Sequence, residues 1–62
     1  MNFEANIGKV VWVIDQNRPT RRVIVEVIKG KVPGLYLVAR PGSNFHYVVP
    51  HRSVMFTLEE GV

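Results

Sequence analysis

The sequence predicts an all-β fold, a small five-stranded antiparallel barrel. Three observations carry this expectation. Short runs of β-branched and aromatic residues recur along the chain, each run is bounded by Gly, Pro, Asn or Asp, and no segment shows a helical period. Sixty-two residues suffice for one domain. Five strands in so short a chain must curl, because a flat sheet leaves one face bare and two edges open. The single domain is assigned to residues 1–62, with the barrel itself over about residues 7–58.

The first strand is expected at residues 9–14, opened by Ile7-Gly8 and closed by a polar loop at 15–20, where Pro19 has no N–H to give to a ladder. Residues 21–29 form the second, with Val23, Val25 and Val27 on one face and Arg22, Ile24, Glu26 and Ile28 on the other. The valine row is assigned to the interior. Gly30, Pro33 and Gly34 then mark a reversal with room for a bulge. A third strand at 35–40 leads into Pro41-Gly42, which suit the central positions of a type II turn because the second of them requires a positive φ. The fourth strand follows at 44–49. Pro50-His51-Arg52-Ser53 leaves space for a single 3₁₀ turn, and residues 54–58 close the sheet. The expected interior is Val11, Val13, Val23, Val25, Val27, Leu37, Tyr47, Val49, Val54 and Phe56, with Leu35 and Val38 open to either face.

Hydrophobic residues at 47% against 21% charged exclude a disordered chain. Without Cys there is neither a disulfide framework nor a thiolate metal site, and two separated His residues do not make a zinc centre, so no metal and no cofactor are expected. No run approaches the roughly 18 apolar residues that a membrane span needs, and Met1-Asn2-Phe3-Glu4 lacks the basic start of a secretory signal. A cytoplasmic location without membrane contact is the expectation. His46 and His51 are the only imidazoles. Ser53 is the nucleophile nearest to one of them, and Asp15, Glu59 and Glu60 belong to loops or chain ends, so the chain is read as non-enzymatic.

The opening Ile7-Gly8-Lys9-Val10-Val11, the polar loop ending at Pro19, the two hairpin strands, the turn Pro41-Gly42-Ser43-Asn44 and Val49-Pro50-His51-Arg52-Ser53-Val54 before the last strand together resemble the small SH3-like barrels of bacteria and phages. The resemblance implies a fold. Such barrels bind peptides, modified tails, RNA, DNA or other subunits, so function must come from the site. The basic first loop does not fit an SH3 domain that binds proline-rich peptides, and Trp12, Tyr36, Phe45 and Tyr47 show no convergence into a methyl-lysine cage. Val27-Ile28-Lys29-Gly30-Lys31-Val32-Pro33-Gly34 is similar to the turn of KOW-type modules, which implies RNA contact by Lys29 and Lys31, although in that family the motif opens the barrel. The type II dihydrofolate reductases, which are also SH3-like, place Gln-Ile-Tyr before a proline. This chain has Tyr47-Val48-Val49 before Pro50, and the activity is not carried over.

Net charge is +3, but between residues 16 and 56 seven basic residues face only Glu26, a balance of +6. Arg18, Arg21, Arg22, Lys29, Lys31 and Arg40 are therefore the candidate nucleic-acid-binding set, with Tyr36, Phe45 and Tyr47 as rings on which unpaired bases stack. Nucleic acid bound with low sequence specificity is the first-choice partner. The bland alternative is a solvated surface whose charge aids solubility. A second expectation comes from the first strand, where Val10, Trp12 and Ile14 form one face and Val11 and Val13 the other. A small barrel has one interior, so the outer row is covered either by Phe3 folding back over Trp12 or by a partner. Ile24 and Ile28 extend that row, giving Val10, Trp12, Ile14, Ile24 and Ile28 as the candidate interface with another protein or a second copy of the chain.

Overall fold

Residues 2–57 are described in a computed structural model. A 3₁₀ turn at Phe3–Asn6 is followed by β1 (Val10–Asp15), β2 (Arg18–Ile28), β3 (Leu35–Ala39) and β4 (His46–Pro50). A second 3₁₀ turn, His51–Ser53, then leads into β5 (Val54–Met55). The strands form one antiparallel sheet in the order β4-β3-β2-β1-β5. The fold is all-β with a 3₁₀ turn before the last strand, both as expected, while the turn at Phe3–Asn6 was not expected. The expectation for Leu58 lies outside the described residues. The two outer strands do not pair with each other, so the curled sheet stays open along one seam. Among the described residues no helix is long and apolar enough to cross a membrane.

The loop expected at 15–20 is instead a tight hairpin. Gln16 and Asn17 both have positive φ, 50° and 65°, the two-residue geometry whose twist matches that of the flanking strands. Asp15 is thereby set opposite Arg18, and Pro19 lies inside β2 opposite Ile14. Pro19 is tolerated because β2 pairs with β3 only from Val23 onward, so this end of the strand has one neighbour. The turn at Pro41-Gly42 forms as expected: Gly42 has φ 79°, and the Ser43 N–H donates to the Arg40 carbonyl at 3.0 Å.

A bulge between Ile24 and Glu26 changes the phase of β2, and the expected valine row fails there. Ile24 is fully buried opposite Val38, whereas Val25 is 40% exposed and Val23 only half-buried. Beyond the bulge Val27 faces inward again opposite Tyr36. The core is Val11, Val13, Ile24, Tyr36, Val38, Val49 and Val54, with Phe3, Val27, Tyr47 and Phe56 packed at its margin. Leu37 alternates with Tyr36 and Val38 and is half-buried, so its place in the expected interior goes to those two neighbours. Tyr36 can be buried because its hydroxyl is satisfied. The oxygen accepts from Asn6 Nδ2 at 2.8 Å and lies 2.7 Å from His51 Nδ1, toward which it can direct its proton.

The amino-terminal turn takes part in this packing. The Phe3 ring meets Tyr36 and His51 edge-on, with centroids 6.1 and 5.2 Å apart. It also passes 3.2 Å from where a Cβ on Gly34 would sit, and Gly34 has φ 79°. Gly8 N–H donates to the Ile24 carbonyl at 2.7 Å, and Ile24 N–H to the Lys9 carbonyl at 3.1 Å, tying this segment to β2 beside the bulge. Phe3 therefore covers the Tyr36 end of the curled sheet and not Trp12, which corrects the fold-back expected for it.

Candidate functional site: the open seam

β5 has two residues and pairs only with Trp12 and Val13. Ile14 and Asp15 of β1 therefore extend past it, while among the described residues β4 has β3 on one side and no strand on the other. Between them runs a groove of about 440 Å³. Val13 and Ile14 form one wall, and Tyr47, Val48, Val49 and Pro50 the other. Phe45 stands at its mouth, and Asp15 and Ser53 supply polar rims. Because the sheet ends here, side chains from both faces of β4 reach the same opening. Phe45, Ile14 and Val48 are 73%, 55% and 52% exposed and line this one opening, while Ile7, Val10, Val25 and Val32 are exposed elsewhere. β4 also lacks the lysine or bulge with which edge strands are commonly protected from pairing, and its one proline, Pro50, is its last residue.

A cation lies behind one wall. Arg22 projects from β2 to the inner face opposite Val11 and is buried. Its Nε–H donates to the Tyr47 hydroxyl oxygen at 3.0 Å, and Nη1–H to the Arg21 carbonyl at 2.6 Å. The guanidinium carbon is 5.8 Å from the centre of the Tyr47 ring. Among the described residues no carboxylate lies within ion-pair distance of it; the one ion pair there is Lys29 with Glu4. A buried guanidinium held by neutral acceptors keeps an uncompensated field. It is directed at Tyr47, a side chain that lines the groove.

The expected nucleic-acid set does not assemble. Arg22 is buried and Tyr36 fully so, which removes the first as a phosphate contact and the second as a stacking platform. Tyr47 is half-buried with its hydroxyl engaged, and Phe45 alone of the three rings is open. Lys29 and Lys31 follow the far end of β2, whose last residue, Ile28, is about 23 Å along the strand from Arg21 at the usual rise per residue. Arg18 faces Asp15, and Lys29 Nζ is 4.0 Å from Glu4 Oε1. Arg21 and Arg40 do come near one corner, since Val23 pairs with Ala39 and Ala39 with His46. Of the expected interface, Val10 and Ile14 are exposed on the outer face, with Trp12 and Ile28 half-buried. Ile24 lies on the inward face of β2 with Arg22 and cannot take part.

Val48 was named only within Tyr47-Val48-Val49, and Asp15 and Ser53 only in setting catalysis aside, so none of the three was expected at a binding site. Tyr47-Val48-Val49 is apolar on both faces, as β1 is, and that shared property was the signal available. A second hollow, about 520 Å³, lies between the amino-terminal turn and the end of β2, lined by Glu4, Ile7, Glu26, Val27, Ile28 and Lys29. Its one ion pair is well exposed, where such a pair contributes little. Among the described residues no three His, Asp or Glu side chains gather as metal ligands would. Comparison with protein-family models, with curated proteins and with solved structures gave no match for the chain.

Proposed function

We propose that this chain is a non-enzymatic binding module that engages a protein partner at the seam between β1 and β4. One observation carries the reading: exposed Ile14, Val48 and Phe45 flank a groove at an unpaired strand edge. Apolar surface that a folded chain leaves open beside free backbone donors and acceptors is stabilised by a further polypeptide, which supplies both kinds of complement. A second reading, single-stranded nucleic acid, draws support from the nearness of Arg21, Arg40 and His46 to one corner and from Phe45, the open ring next to His46. It commands fewer cations than the sequence suggested, since Arg22 is buried and Lys29 and Lys31 follow the other end of β2.

The test is a photo-crosslinking amino acid in place of Val48, with a control at exposed Glu26, irradiated in cells and analysed with and without nuclease. A discrete nuclease-resistant protein adduct from position 48, absent from position 26, is the expected result. Adducts that disappear with nuclease would replace this reading by the nucleic-acid one. Adducts of equal yield at both positions would remove the seam as the working face.

A further inference from the structure

The same seam carries a more specific inference, which rests on the protein-partner reading. We propose that the seam takes one extended peptide segment as an additional strand along β4, and that the Tyr47–Arg22 pair selects an acidic side chain in it.

Three features converge. The first is the free edge: among the described residues β4 pairs with β3 alone, so one side of its backbone can accept another strand, and β1 beyond β5 bounds the space opposite. The second is size. β4 is five residues long, roughly 17 Å at the usual rise, and a groove of about 440 Å³ holds a handful of side chains. That suits a short segment better than a folded surface, which needs about 800 Å² from each partner. A second copy of this chain would bring the same concave seam, and two hollows facing each other leave the walls of both unfilled. An inserted strand, by contrast, alternates its side chains between the Tyr47 and Val49 side of β4 and the Val48 side.

The third feature is charge. The Tyr47 oxygen accepts the Arg22 Nε–H, which leaves the Tyr47 O–H as a donor polarised by a buried cation. A carboxylate at the groove wall would receive that proton donor and compensate the field of Arg22. The charged residues next to the groove in sequence or register are Arg18, opposite Asp15, and Arg52, beside Ser53, against Asp15 itself. Acidic residues in the incoming segment are therefore favoured over basic ones. The segment that fits has apolar side chains at alternate positions and at least one Asp or Glu among or beside them.

The experiment selects from a displayed library of random nine-residue peptides on the full-length chain, then measures the enriched peptide in solution by titration and by amide hydrogen exchange. The expected consensus alternates apolar and polar residues and contains an acid. The enriched peptide should slow exchange at amides of β4, lose at least tenfold in affinity when N-methylated at alternate backbone positions, and lose similarly against Val48→Lys. Val48 is a solvent-exposed position, so this variant keeps the fold. Against Tyr47→Phe, the preference for the acidic peptide over its amide counterpart should fall toward unity. Proline-rich or basic consensus sequences, or binding indifferent to N-methylation, would overturn the strand-addition proposal. If protein adducts still formed at position 48, the broader reading of the seam would survive that failure. Enrichment of no peptide, together with no adduct, would overturn both.

Discussion

At the scale of single residues, burial separates neighbours that look alike in the sequence. Ile24 and Val25 are consecutive β-branched residues, yet Ile24 shares the inward face of buried Arg22 and Val25 faces water. Ile24→Ala should cost about 3 kcal/mol through lost transfer energy and an unfilled cavity, while Val25→Ala should cost less than about 1 kcal/mol. Urea unfolding of the two variants measures this directly, and equal losses would contradict the phase change in β2. Tyr36 offers a second comparison. Its hydroxyl joins Asn6 to His51 across three separate segments, so Tyr36→Phe keeps the ring but leaves both partners short of a bond. A loss of about 1–2 kcal/mol is expected. The same substitution at Tyr47 acts on a different neighbour, the buried guanidinium of Arg22, whose Nε–H would lose its acceptor.

At the scale of elements, the β1–β2 hairpin is the segment where the sequence was least informative. Gln16 adopts φ 50° without the glycine or asparagine that this position favours. Replacing Gln16-Asn17 by Asn-Gly should therefore raise stability by about 1 kcal/mol, read as an increased melting temperature with an unchanged spectrum. No gain would mean that the flanking pairs already hold the turn free of strain. Pro19 misled because a proline forbids pairing only where its missing N–H faces a neighbouring strand, and here β2 has a single neighbour. The candidate site was partly legible for a related reason. Ile14 was recognised from the outer row of the first strand, and Phe45 as an aromatic ring among basic residues, although alternation places it on the same face as Tyr47 and Val49. Val48 was passed over because its importance comes from β4 being an edge, and strand order is not written in any local pattern.

At the scale of the whole molecule, the amino-terminal segment behaves as a lid on one end of the sheet. Phe3 packs on Tyr36 and His51, and Gly8 bonds to Ile24, so one short stretch touches residues from both halves of the chain. Phe3→Ala should destabilise the fold by about 2 kcal/mol, less than for a fully enclosed ring because Phe3 is only half-buried. Trp12 provides the control: its native fluorescence should be unaltered, since Phe3 is seated away from it, and a shift in its emission would contradict that placement. The unfolding midpoint reported by Trp12 should nevertheless coincide with that from circular dichroism, as expected for a single cooperative unit.

The sequence by itself determined the class of fold, the number of strands, the turn at Pro41-Gly42 and the 3₁₀ turn before β5. These depend on local backbone preferences, which Gly, Pro and β-branched residues declare within a few positions. Only the tertiary structure decided which face of β2 is inward, because the bulge is set by pairing with β3 and by the bond from Gly8 to Ile24. It alone buried Arg22 and Tyr36, since each is admitted to the interior by acceptors or donors from distant segments. The seam belongs to the same category. Its walls come from β1 and β4, which are distant in the chain, and they meet because the sheet curls without closing.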